Sequence, residues 1–223
     1  MKREFLTTGD GSVTIHLPDW NEQYHSKHGA IAEAEHVFLA TGLQYFVDQT
    51  SPKEVHILEI GFGTGLNAFL TLLKGQQDEL SIHYTGVEAY PVELSEIEKL
   101  NFAELLDASE ATFLKLHQAP WEESVDIASD FTLTKRKQFF AEIEDVDTYN
   151  VVYFDAFGPR VQPDLWTEAI FEKMFRALKP GGVLVTYSAK GSVRRAMQAA
   201  GFTVERLPGP PGKREMLRAR KGD

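Results

Sequence analysis

"VHILEIGFGTGLNAFLTLL" occupies Val55–Leu73. An apolar run gives way to glycines at alternate positions, Gly61, Gly63 and Gly65, and a second apolar run with helical spacing follows. A strand buried on both faces reads as a continuous apolar stretch, and a glycine turn leading into a helix marks a βα junction. The alternation repeats downstream. "IHYTGVEA" reads as a strand, "VELSEIEKLNFAELL" as a helix and "NVVYFDAF" as a third apolar strand. "DLWTEAIFEKMFRAL" is a helix stopped at "KPGG", and "GGVLVTYS" is the next strand. "SVRRAMQAAG" makes a short helix, after which "FTVERLPG" and "REMLRAR" have no helix between them and imply an antiparallel edge hairpin. "SVDIASDFTLTKRKQFFAEIE" alternates as an inserted hairpin, at about residues 122–142. The pattern predicts an α/β, Rossmann-like fold: a mostly parallel sheet covered by helices on both faces.

Residues 1–50 read differently, as a small N-terminal extension to a main domain at 51–223. "GSVTIHLPDW" alternates like a short exposed strand, and "AEAEHVFLATGLQYFVD" is an amphipathic helix turning Val37, Phe38, Leu43 and Phe46 inward. The 223 residues, 43% hydrophobic, suffice for one sizeable core. With no cysteine, disulfides and cysteine-based zinc sites are excluded, and no metal centre is expected. No apolar stretch approaches the roughly 18 residues of a membrane span, so a soluble, cytoplasmic monomer is expected. The net charge of −10 argues against a polyanionic partner, but basic clusters at Lys135–Lys137, Arg194–Arg195 and the C-terminal "KREMLRARK" argue the other way.

In such a sheet ligands bind beyond the carboxyl ends of the strands, where strand order reverses. The spacing "GFGTG" lacks the later third glycine of a dinucleotide turn. Glu59 lies two residues before the first glycine, where a carboxylate would repel a pyrophosphate and suit a cationic amino-acid tail. Glu88 ends the next strand and can accept both hydroxyls of a ribose. These features together suit S-adenosylmethionine (SAM) better than NAD. Asp155, ending the third strand, faces the same crevice and can orient or deprotonate an amine acceptor. Tyr187 ends the following strand. Arg194, Arg195, Lys213 and Arg214 follow on the same rim, as candidate phosphate contacts.

"YHSKHGAIAEAEHVFL", "LEIGFGTGLNAFL", "DAFGPRVQPDLW", "YSAKGSVRRAMQAAGF" and "GKREML" together resemble the MnmC-type methyltransferase family. Its members methylate the aminomethyl group on the wobble uridine of certain tRNAs. The resemblance implies a class I methyltransferase with a seven-stranded sheet and SAM as methyl donor. It implies that Gly61, Gly63, Thr64, Gly65 and Asn67 line the methionine part, that Glu88 takes the ribose, that Glu142 is the adenine-side acid, and that Asp155 faces sulfonium and amine. Tyr24 and Gly29 fall in a segment that lies over the pocket in the family. Gln162 replaces the usual Asn before Pro-Asp, and Ala141-Glu142 replaces Gly-Asp. The best-known members are fused to an FAD-dependent oxidase. This chain is expected to stand alone, without FAD, with a separate enzyme supplying the aminomethyl-uridine precursor. The competing readings are a methyltransferase or aminopropyltransferase acting on a small-molecule amine, and a non-enzymatic RNA- or partner-binding remnant of the fold.

Overall fold

The computed structural model describes residues 2–222. Three short strands, β1 (Glu4–Thr7), β2 (Val13–Leu17) and β3 (Glu22–Gln23), form a small antiparallel sheet of their own. A helical stretch follows, made of α1 (Ala30–Ala34), a π-helical segment Glu35–Gln44 and α2 (Tyr45–Thr50). The alternating part runs β4 (Glu54–Ile60), α3 (Leu66–Gln77), β5 (Ser81–Val87), α4 (Leu94–Ile97), α5 (Phe102–Leu105), α6 (Glu110–Gln118), β6 (Ser124–Ala128) and β7 (Phe131–Arg136). It ends with β8 (Tyr149–Phe154), α7 (Glu168–Ala177), β9 (Leu178–Thr186), α8 (Gly191–Ala199), β10 (Thr203–Pro208) and β11 (Glu215–Arg220).

The large sheet has the order β10-β11-β9-β8-β4-β5-β7-β6. β4 pairs in parallel with β5 and β8, and β5 and β8 pair in parallel with β7 and β9. It therefore has eight strands, not seven. The hairpin read as an insertion at 122–142 is β6–β7, and β7 joins the main sheet beside β5 while β6 adds the extra edge strand antiparallel to it. Side chains at alternate positions of β4 enter opposite cores. Val55 and Ile57 pack with the helical stretch and α3, while Leu58 and Ile60 pack with α7 and α8. Burying each such aliphatic side chain contributes about 1.5–3 kcal/mol.

Three local readings change. The single helix expected over 92–106 is broken into α4 and α5, because Asn101 is spent on the N-terminal strands. Its Oδ1 accepts from Val13 N at 2.8 Å and its Nδ2 donates to Gly11 O at 3.1 Å. α6 was not anticipated; its Ser109 cap accepts from Thr112 N at 3.2 Å. β2, expected to be exposed, buries Ile15 and Leu17.

Residues 30–50 pack as a layer on the main core. Val37, Phe38, Leu43 and Phe46 are buried, and the Phe38 ring lies 5.2 Å from that of Tyr153. Gly42 permits this closeness, since a Cβ there would sit 2.8 Å from Val185 Cγ2 on β9. Among the described residues no helix is long and apolar enough to cross a membrane. Phe38→Ala is expected to cost about 3–5 kcal/mol of unfolding free energy in urea titration. A loss below about 1 kcal/mol would mark the segment as an appendage.

Candidate active site

A cleft of about 1490 Å³ opens beyond the C-terminal ends of β4, β5, β8 and β9. Strand order reverses here: β5 and β7 extend the sheet on one side of β4, and the chain then crosses back to β8 on the other. Each strand ends in a polar side chain aimed into the cleft: Glu59 from β4, Glu88 after β5, Asp155 after β8 and Tyr187 after β9.

The floor is built on one amide. Asn67, in the first turn of α3, donates from Nδ2 to Glu59 Oε1 and to Asp155 Oδ2, both at 2.8 Å. The second oxygen of Glu59 is buried and makes no hydrogen bond among the described residues by distance and angle, and the buried Tyr84 hydroxyl, which likewise makes none, lies beside the same carboxyl. Burial holds the Glu59 carboxyl well above the usual carboxylate range, and the nearby Asp155 charge adds to this. Burial likewise pushes Asp155 up to about 7, with the charge of Glu33 adding and the Asn67 hydrogen bond and Lys213 opposing.

The glycine turn fits closely around this floor. Gly61 has φ 90, and a Cβ there would lie 2.7 Å from Asp155 O. Gly63 has φ 48 and faces the Tyr24 ring, while its N–H donates to Glu88 Oε2 at 3.1 Å. The other Glu88 oxygen accepts from Tyr90 N at 2.9 Å, so the carboxylate ties the turn to the β5 tip. Thr64 is buried and its hydroxyl meets His25 Nε2 at 3.0 Å, with His25 Nδ1 on Thr14 Oγ1 at 2.9 Å. Burial pushes His25 down to about 4, so the neutral ring links β2 to the turn. Gly65 does not line the cleft; its missing side chain makes room for His117.

The outer wall is aromatic. Phe157 packs edge-on against Trp20 and Tyr24, with centroids 5.6 and 5.0 Å away. On the other side Tyr90 and Phe139 are exposed, with centroids 6.1 Å apart. The donor-side acid expected at Glu142 is absent from the cleft. Glu142 Oε2 caps its own 3-10 turn by accepting from Phe139 N at 2.9 Å, and Phe139, Phe140 and Ala141 line the wall instead.

The rim cations separate. Lys213 contacts Glu33 and lies 3.9 Å above the Tyr187 ring, so its charge is neutralised within the site. The Tyr187 hydroxyl donates to Ala156 O at 2.7 Å and fixes the loop after Asp155. Arg214 and Arg195 are exposed outside the cleft, and Arg194 is half-buried with its Nε unpartnered. Two further contacts join the first and last parts of the chain here: His36 Nε2 meets Pro208 O at 2.8 Å, and Gly212 packs on His28. Of the pocket-covering residues named from the sequence, Tyr24 lines the cleft, whereas Gly29 lies against Asp10 and does not. Sequence reasoning did not single out Glu33, His25, Arg3 and Phe139 as site residues; His25 and Glu33 lie within the quoted "YHSKHGAIAEAEHVFL" stretch, and all four line the cleft. The Lys135–Lys137 cluster is not a solvated patch, since Lys135 is buried and Arg136 pairs with Asp145 at 2.8 Å.

The residues present fit an adenosine bearing a cationic tail. An unpartnered buried carboxylate oxygen, a side-chain-free turn, a carboxylate at the β5 tip and an exposed aromatic pair match, in turn, an α-ammonium, a close backbone approach, a ribose and a purine face. Residues 105–222, more than half of the chain, match the family described as S-adenosyl-L-methionine-dependent methyltransferase. The chain belongs to that family. As a methyltransferase of this kind it uses SAM as methyl donor. It is also 30% identical, over 97% of its length, to the tRNA 5-methylaminomethyl-2-thiouridine biosynthesis bifunctional protein MnmC of Cupriavidus metallidurans. It spans only 34% of that relative. The crystal structure of MnmC2 from Aquifex aeolicus superposes with a TM-score of 0.80 at 24% identity, covering 100% of this chain and 71% of that one. A probable spermidine synthase from Corynebacterium glutamicum shares the fold at a TM-score of 0.54 and 18% identity, covering 99% of this chain and 76% of that one.

The raised Asp155 carboxyl has a consequence for stability. Its folded value lies above its ordinary 3.8, so the folded state pays to ionise it. That cost is absent below about pH 4, grows as pH rises through the window up to about 7, and is complete above it. In the ligand-free protein, Asp155→Asn is expected to raise the thermal midpoint by a few degrees at pH 8 and to leave it nearly unchanged at pH 4. An equal shift at both would contradict it.

Proposed function

We propose that this methyltransferase transfers a methyl group to the aminomethyl nitrogen of the wobble uridine of tRNA. The single observation behind this reading is Asp155, held by Asn67 beside the donor-side Glu59 and opening into a cleft with an aromatic outer wall. The partial match to the MnmC relative supplies the acceptor class. SAM, when bound, supplies an electrophilic methyl on a cationic sulfur. Glu59 and Glu88 hold its ammonium and ribose ends. An alkylamine with a pKa near that of lysine, about 10.4, is protonated at neutral pH and has no lone pair to offer. One proton must leave for each methyl that arrives. Asp155, raised to about 7, accepts that proton far more readily than a carboxylate at its ordinary 3.8. Trp20, Tyr24 and Phe157 give a flipped-out base a surface to stack on. The aminomethyl group must already be in place on the acceptor for this step.

A second reading is an acceptor or aminopropyl chemistry involving a small amine. The cleft is lined by many carboxylates, among them Glu22, Glu33, Glu93 and Glu96, which suits a polycation. Labelled SAM incubated with tRNA from cells lacking this protein, followed by nucleoside analysis, separates the two. Label in methylaminomethyl-uridine supports the first. Label only in a polyamine, or turnover with decarboxylated SAM alone, supports the second.

Asp155→Asn is expected to lower the single-turnover rate by about 10²–10⁴ while leaving the SAM dissociation constant within a few-fold. The wild-type rate should rise with pH to a plateau above about 7. Lost SAM affinity with an unaltered rate would contradict the role. The exposed Arg195 and Arg214 are assigned to phosphate contacts. Their joint replacement by Ala should weaken tRNA binding and reduce the slope of log K against log salt by about 1 per contact removed.

A further inference from the structure

At the opposite end of the sheet from the cleft, the strands begin with histidines. His56 on β4 and His83 on β5 are register partners across a parallel pair, so both project from one face. Their rings lie 4.6 Å apart with an interplanar angle of 16°. Glu54 precedes His56 by two residues and shares that face. One of its oxygens is 2.7 Å from His56 Nε2 and the other is 3.4 Å from His83 Nε2. All three donor atoms fall within 4.8 Å of one another, and solvent reaches each side chain.

We infer that Glu54, His56 and His83 form a binding site for a divalent transition-metal ion. Two imidazoles and a carboxylate are a three-ligand set used by zinc, with one position left for water. Zinc–nitrogen and zinc–oxygen bonds of about 2.0–2.2 Å separate tetrahedral donors by about 3.4 Å, so the donors must draw closer and the imidazoles turn out of their near-parallel stack to aim both lone pairs at one ion. Imidazole nitrogen favours zinc, nickel and copper, and a set with one carboxylate leaves magnesium and calcium weakly held. Binding replaces any proton shared between His56 Nε2 and the carboxylate and releases it to solvent. Because the ligands belong to adjacent central strands, the ion clips β4 to β5. At about 3.3 Å per residue the strand rise places it roughly 10 Å from Glu59 in the cleft floor and roughly 15 Å from the glycine turn, too far to take part in methyl transfer.

Neither sequence spacing nor composition exposes the site, since Glu54-x-His56 and His83 meet only through strand pairing. A carboxylate bridging two imidazoles as a plain ion pair is the competing account, and metal titration distinguishes them. Metal-free protein is titrated with zinc chloride by calorimetry, alongside Glu54→Gln and His83→Ala, each checked by circular dichroism to be folded. Wild type is expected to take up one zinc ion per chain at this site, with affinity reduced by roughly tenfold or more in each variant. Zinc should raise the thermal midpoint of the wild type more than that of either variant. Copper(II) bound in place of zinc should show two coordinated nitrogens by electron paramagnetic resonance in the wild type and one in His83→Ala. Uptake that is absent in the wild type, or weakened less than tenfold by both substitutions, would overturn the inference.

Discussion

The two protons of the Asn67 amide go to two different carboxylates, and the chemistry of the cleft follows from that division. Without the amide, Glu59 and Asp155 would face each other as buried like charges, and each would be held by a proton alone. With it, each keeps one oxygen fixed and one oxygen free. The second oxygen of Glu59 stays buried and makes no hydrogen bond among the described residues. Asp155 lines the cleft beside it. The elevated carboxyls are costly to the ligand-free protein and useful to the liganded one, a trade often met at functional sites.

Around this floor the protein spends its charges locally. Lys213 would be a phosphate contact on a bare rim, yet Glu33 and the Tyr187 ring take its charge inside the site. Part of the net charge of −10 is therefore expressed in an acidic cleft, and the exposed Arg195 and Arg214 lie outside it. Aromatic rings supply most of the wall where charge is absent.

The strands were legible because burial on both faces leaves nothing but apolar runs, and the polar residue ending each run stood out against them. Glu59, Glu88, Asp155 and Tyr187 were visible for that reason, and Gly61 and Gly63 because an αL turn admits little else. Legibility failed where long-range partners decide. Asn101 breaks a helix only because Gly11 and Val13 lie beside it. Glu142 looked like a ligand by position but satisfies the backbone of its own turn. Glu33 reaches the site only because Lys213, far along the chain, packs against it. The eighth strand went uncounted because a hairpin and a sheet edge have the same alternation.

The meeting of His28, Glu33 and His36 with the segment Pro208–Lys213 has a bearing on biogenesis. A ribosome delivers the glycine turn and both carboxylates long before it delivers their covering segment. The nascent chain thus passes through a stage with a bare floor, unsealed aromatics and a β9 edge still waiting for β11. The cleft is closed over only once Pro208–Lys213 folds back onto His28, Glu33 and His36.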